Sequence, residues 1–354
     1  AFVAAVGDVW QHQSLEIDPE HAARGQSAIP NRWFALEIGV APQTRSVEMP
    51  GAREGYQLIA DSGLPFGVAP GNHDYDAMWS DSRWQPVSDP RQIDMTPKTL
   101  GMLHIGGLDN FRTVFGSDTP FFHGKPWYVA SHRGGASSAQ IFRAGGYRFL
   151  HIALEMSPDD EVLAWATSVL EAHPGLPTIV STHDYLSASG ERQPNPIIDL
   201  QAADPTHNGA EALWQKWIRR HDQIFLVLCG HQHGQARRED PNEQGHAVYQ
   251  ILADYQDRGQ AAVDAGVPLV RGAPVAIGDG WLRLMTFDPA AEVPTLTVRT
   301  YSPHYRGTSD EVKGYAAWYR SHEAPKRSDA EFLAQDSFRI ELGDFRARFG
   351  PPRP

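Results

Sequence analysis

Cysteine is almost missing from this chain, which holds one, Cys229, in 354 residues. A single thiol forbids an intramolecular disulfide and excludes zinc or iron–sulfur sites built from four cysteines. Inside the apolar run "IFLVLC" it reads as a small buried hydrophobe. Long hydrophobic runs are missing too: no window approaches eighteen uninterrupted apolar residues, so no membrane span is expected. Positive charge is in deficit, with 31 Lys and Arg against 43 Asp and Glu and a net charge of −12. Such a surface repels polyanions, so nucleic acid is not expected as a partner. Histidine, by contrast, is abundant at sixteen residues. It is the commonest transition-metal ligand, and position has to decide which histidines matter.

Four segments share one plan, an apolar run of strand length that stops at a polar cluster. "FVAAVGD" ends at Asp8, "LPFGVAPGNHD" at Asn72 and His73, "LPTIVSTHD" at His183, and "IFLVLCGHQH" at His231 and His233. Near-continuous Val, Ile and Leu is the pattern of strands covered on both faces, and α/β proteins place their sites beyond the C-terminal ends of such strands. The plan therefore predicts an α/β fold in which the four clusters converge. The remaining histidines, among them His12, His104 and His151, lack that placement and read as surface or core.

Helices are expected between the strands. "SPDDEVLAWATSVLEAHPG" offers Ser157 as N-cap, Pro158 at the first helical position and acids in the first turn. "NGAEALWQKWIRRHD" places Asn208 and Glu211 at cap spacing, with Leu213, Trp214, Trp217 and Ile218 as an apolar stripe, so both tryptophans read as core. "WLRLMTF" and "TLTVRTY" form a hairpin that adds an antiparallel edge to the sheet, and "DSFRIELGDF" supplies a last strand. Residues 76–147, rich in Trp, Phe, Pro and Gly, read as an insertion covering the substrate. Residues 303–354 form a tail packing on the domain.

Asp8, Asn72, His183, His231 and His233 are oxygen and nitrogen donors, a set that suits Mn, Fe, Zn, Co or Ni. Five donors exceed the need of one ion that must keep positions open, so two divalent ions sharing a carboxylate are expected, with Asp8 as the bridge. Such a pair suits the hydrolysis of phosphate esters. His73 is placed to protonate the leaving oxygen or to stabilise phosphoryl charge. Asp74 is expected to orient its ring, and Asp184 stands in a similar relation to His183. Arg133 in "SHRGG" and Asp254, Tyr255 and Gln256 after the last histidine motif are candidates for substrate contact.

At "GDVWQ", "GNHD", "THD" and "GHQH", in this order, the chain resembles the calcineurin-like metallophosphoesterase superfamily, over roughly residues 3 to 234. The resemblance implies a four-layer αββα sandwich of two mixed β-sheets flanked by helices, within residues 1–302. It also implies a dinuclear metal centre hydrolysing phosphomonoesters or phosphodiesters with metal-activated water. By that resemblance Asp8 bridges the metals, Asn72, His183 and His231 hold the second, His233 holds the first, and His73 faces the phosphoryl group, with Asn72 also near substrate. The family carries an earlier motif, Asp-x-His or Asp-x-Gln, that ends its first strand. Asp8 does not fit it, because its third residue is Trp10, so the first strand and first motif are expected to be missing from this chain. Family members of this type are often exported, which points to a periplasmic or secreted protein. The alternative is a non-catalytic or truncated metal-binding relative.

Overall fold

The apolar runs fold as strands, and the side chains on successive positions go to opposite layers. In a computed structural model, residues 1–29, 39–80, 83–94, 96–268 and 278–352 are described; positions 81, 82 and 95 of the expected insertion lie outside them. The strands are β1 (Val3–Ala5), β2 (Phe66–Val68), β3 (Ala77–Ser80), β4 (Leu103–Gly106), β5 (Tyr128–His132), β6 (Ser137–Ala144), β7 (Tyr147–Ala153) and β8 (Thr178–Asp184). They continue with β9 (Ile224–Gly230), β10 (Gly234–Pro241), β11 (Ala247–Asp254), β12 (Leu282–Asp288), β13 (Thr295–Ser302), β14 (Gly307–Thr308) and β15 (Phe338–Glu341).

A seven-stranded mixed sheet runs in the order β10-β11-β9-β8-β7-β6-β5. Its centre is parallel, from β7 through β8 and β9 to β11, and both margins are antiparallel. Leu150, Ile152, Val180, Val227 and Leu252 point to one face. There they pack under the helices Asp160–Ala172 and Ala210–Lys216, through Val162, Val169, Leu213 and Trp214, with Trp217 just after the second helix. Phe149, Phe225, Tyr249 and Ile251 point to the other face, against Leu296 and Val298 of a four-stranded sheet made by β12, β13, β14 and β15 and against Leu342 and Phe345, which follow β15. The parallel pair β1-β2 lies in the same second layer, where Gly67 meets Gln140 and His151 of β6 and β7. Outside that pair, helix Met49–Asp61 packs Tyr56 and Ile59 on Phe66 and Val68. The order of layers is helix, sheet, sheet, helix, so the α/β sandwich is present. Burial of each such side chain stabilises the fold by about 1.5–3 kcal/mol. Among the described residues no helix is long and apolar enough to cross a membrane.

Four local expectations are corrected. The first helix is capped by Asp159, whose carboxylate accepts from the Val162 amide at 3.0 Å, and not by Ser157. Asn208 does not cap the second helix, which starts from Gly209; its side-chain amide donates to the Pro158 carbonyl and to Asp160 Oδ1, both at 2.9 Å. That bond ties the starts of the two helices together. The β12–β13 hairpin is not an edge of the seven-stranded sheet but the frame of the other one. The stretch 76–147 is not wholly an insertion, because β5 and β6 are strands of the large sheet. Its aromatic residues Phe111, Phe115, Phe121 and Phe122 bury themselves with Phe66 and Trp10.

The tail is tied down by charge as well as by β15. Arg258 and Asp336 are both 0% exposed, joined at 2.9 Å, and Arg258 also makes two 2.6 Å bonds to Glu323. Burial of this cation is compensated only while both acids face it. Replacing Arg258 by Met leaves two enclosed carboxylates unpaired, and the expected loss of unfolding free energy is about 3 kcal/mol. Urea titration of the variant measures it; a loss below the error of the titration overturns the assignment.

Candidate metal centre

The parallel pairs β1-β2 and β8-β9 deliver their C-terminal residues to one place, and sharp corners turn the candidate ligands inward. Gly7 has φ 103° and Asp8 φ 56°, so the turn after β1 holds two left-handed residues; His231, one residue past β9, has φ 67°. Aspartate tolerates that region, but for histidine it costs on the order of 1 kcal/mol, the kind of strain found where function sets the backbone. Gly71 is required by space: a Cβ there would lie 2.2 Å from Asp8 Oδ1 and 2.6 Å from His183 Cε1.

One nitrogen is the focus. His183 Nε2 lies 3.0 Å from Asn72 Oδ1, 3.1 Å from Asp8 Oδ2 and 3.2 Å from His231 Nδ1. Its other nitrogen, Nδ1, donates to the Val6 carbonyl at 2.5 Å. That bond fixes Nδ1 as a donor and leaves Nε2 facing a carboxylate, an amide oxygen and another ring nitrogen. Three acceptors around that nitrogen call for a positive charge among them. His231 Nε2 is buried without a partner, so the second ring has unused capacity as well. The residues fit a divalent transition metal in number, softness and enclosure.

The electrostatics agree. Burial raises the Asp8 carboxyl, but His183, His73 and His231 outweigh it and hold the group well below the ordinary carboxylate range. Burial pulls His183 down, while the Asp8 charge and bond push it up to about 9, so Nε2 carries a proton at neutral pH, the positive charge that a bound cation would replace. Burial drives His231 well below its ordinary value, with the neighbouring His183 adding to the effect, so this ring is neutral and able to ligate.

Asp8, His183 and His231 are the one group of three or more His, Cys, Asp or Glu among the described residues with ligand atoms close enough for an ion, all within 4.8 Å of one another. Asn72 joins them through His183. His233 stands outside this group: its Nδ1 meets Asp257 Oδ2 at 2.6 Å. The backbone amide of His73 donates to Asp8 Oδ1 at 3.0 Å, and its ring Nδ1 donates to the Gln11 carbonyl at 2.6 Å. The ring is therefore held by Gln11 and not by Asp74. Asp74 accepts instead from the amides of Asp8 and Gly71 at 2.8 Å and of Val9 at 2.9 Å. It clamps the two loops together, and burial beside Asp8 raises it to about 7 against those donors. Asp184 likewise serves the loops, accepting from the Gln232 side chain and the Asn195 amide rather than from His183.

Two expected substrate contacts are corrected. Arg133 spends its guanidinium on Glu155, Asp159 and Glu161, at 2.9, 2.7 and 3.2 Å. Tyr255 is buried, its hydroxyl shared among Gln235, Thr300 and Arg283 in the second sheet's polar core. Missed by sequence reasoning were Gln11 and Val6, which act through backbone carbonyls and leave no residue-type signal. Also missed was Glu48, whose carboxylate accepts from the Gln11 and His12 amides at 3.1 and 3.0 Å and fixes the loop that holds His73. Asp257 gave a faint sign, as an acid three residues beyond the strand that ends at Asp254.

No family model matches the chain. A curated relative, the uncharacterized protein YvnB of Bacillus subtilis (strain 168), is 26% identical over 259 residues, which is 70% of this chain. The chain spans only 15% of that relative's length.

Proposed function

We propose that this chain hydrolyses phosphate esters, phosphomonoester or phosphodiester, at a divalent-metal centre, in the manner of the calcineurin-like metallophosphoesterases it resembles. The observation that carries the reading is the convergence of Asp8, Asn72 and His231 on His183 Nε2, with His73 bound to the same Asp8 carboxylate. Asp8, Asn72, His183 and His231 would hold one ion, and Asp8 with His233 would serve a second. When bound, such ions neutralise charge on phosphoryl oxygens and bring the pKa of water towards about 7.

His73 does the remaining proton work. The Gln11 carbonyl occupies Nδ1, so Nε2 is the nitrogen that gives or takes a proton, and the half-buried ring protonates the departing alkoxide from there. Asp74, by fixing the amides of Asp8, Val9 and Gly71, keeps His73 beside the carboxylate. Asp257 orients His233 in the way acids orient ligating imidazoles.

The test is elemental analysis of the purified protein alongside turnover of a chromogenic monoester and diester, before and after chelation. Turnover that disappears with chelator and returns with Mn or Zn supports the reading. Bound metal without turnover of either ester would overturn it and leave a metal-binding protein without catalysis.

A further inference from the structure

Next to His233 the molecule keeps a cavity of about 330 Å³. Three stretches of chain wall it. Ala188 and Ser189 lie on the loop that leaves β8 just after His183 and Asp184; Gly234 and Gln235 open β10 directly after His233; residues 323–327 come from the turn between helices Tyr315–Glu323 and Asp329–Asp336. The first two stretches issue from the same strand ends that carry the candidate ligands, and Gly234 on the wall follows His233 directly. Gly234, at φ 115°, keeps the wall thin: a Cβ there would stand 3.5 Å from Glu323 Oε2 and 3.6 Å from Ala188 Cβ.

The charge on this wall runs against the charge of the chain. Lys326 and Arg327 border the cavity, and among the described residues neither makes an ion pair. The wall's carboxylate, Glu323, is committed to Arg258 by two 2.6 Å bonds and does not cancel them. Their turn is pinned, because the Arg327 carbonyl accepts from Arg320 at 2.9 Å. Two cations outside any ion pair, of which Arg327 also feels the Glu331 carboxylate, make a local anion site on a protein of net charge −12. Below them the lining is apolar, with Ala188, Ala324, Pro325 and Phe332. The volume sits at the small end of ligand pockets, enough for a short carbon skeleton.

We propose that this cavity receives the alcohol part of the substrate, and that the substrate is a phosphate ester carrying a second anionic group, bound by Lys326 and Arg327. The proposal rests on the phosphoesterase reading of the adjoining centre, which places the scissile phosphoryl group there. The apolar lining takes the carbon chain between the two anions. A plain aryl or alkyl phosphate fills only the metal end.

Calorimetry with two non-hydrolysable probes tests this on the metal-loaded full chain: propane-1,3-bisphosphonate and propylphosphonate. The bisphosphonate should bind about tenfold more tightly, the scale of two solvent-facing charge pairs, and the preference should shrink as salt is raised. The Lys326→Ala/Arg327→Ala chain should lose that preference, and Lys326→Arg should keep it. Equal affinity for both probes in the natural chain, or a preference that survives the double substitution, overturns the proposal. The readout needs no turnover. A bisphosphonate preference in a protein that cleaves no ester would support the anion site and overturn the hydrolase reading instead.

Discussion

Replacing Asp8 by Asn is expected to weaken divalent-metal binding at least about 100-fold and to abolish metal-dependent ester turnover. Even outer-shell changes at metal sites reach 10–100-fold, and Asp8 is more central than that. Its two oxygens are both engaged, Oδ2 with His183 at 3.1 Å and Oδ1 with the His73 amide at 3.0 Å. Asparagine has nearly the same volume, so the fold should survive, yet one of its ends is an NH₂ donor. That end must face either the His73 amide, donor against donor, or His183 Nε2, where a cation is to bind. The substitution also removes the charge that pushes His183 up to about 9 against burial, so the point where the four side chains meet loses its negative member. Equilibrium dialysis with elemental analysis reads the affinity, and circular dichroism checks the fold. Natural metal content in the Asp8→Asn chain would sink the assignment of this site.

The convergence of the candidate cluster was legible because strand and polar stop are adjacent in sequence. Asp8, Asn72, His183 and His231 each stand at or just past the end of a parallel strand, and parallel strands carry their C-terminal ends to one side, so the order of apolar run and polar stop already contains the convergence. The two-layer sandwich was legible only through the motif resemblance. Alternation shows that Phe149 and Leu150 face opposite ways, but not whether a helix or a second sheet covers each face. The supporting shell was illegible for a different reason. Gln11 and Val6 act through carbonyls that every residue possesses, and Glu48 reaches Gln11 across 37 positions. Asp74 misled because a carboxylate next to a histidine in sequence looks like its partner. Within a tight 3₁₀ turn over Asn72–Asp74 the acid points back to the amides instead. Arg133 and Tyr255 misled similarly: charge and hydroxyl suggest a ligand, while ion pairs to three acids and burial among polar side chains respectively assign them to the scaffold.

Acid should destabilise the chain through one residue that holds the layers of the sandwich together. His151 on β7 is 0% exposed between Gln140 Oε1, at 2.7 Å from Nδ1, and Ser181 Oγ, at 2.8 Å from Nε2, with Gly67 of the second layer against its ring. A Cβ on Gly67 would come within 2.6 Å of Nδ1, so the ring has no room to move or to gather water. Burial drives its pKa from the ordinary 6.5 down to about 3. Above pH 6.5 the ring is neutral in both folded and unfolded chains and adds no pH dependence. Between pH 6.5 and 3 the unfolded chain binds a proton that the folded chain refuses, so unfolding becomes easier as pH falls, by about 1.4 kcal/mol per unit. Below 3 both states are protonated and the loss levels off, at a total on the order of 4–5 kcal/mol. Carboxylates titrate in the same range, so the measurement is a difference: urea unfolding of the natural chain and of His151→Gln at intervals from pH 7.5 to 4. Glutamine has amide groups for Gln140 and Ser181 but cannot take up the proton. Its stability will be lower at pH 7.5 and will fall less steeply below 6.5, so the two curves approach one another. Parallel curves across that range would show that His151 does not carry the acid sensitivity of the sandwich.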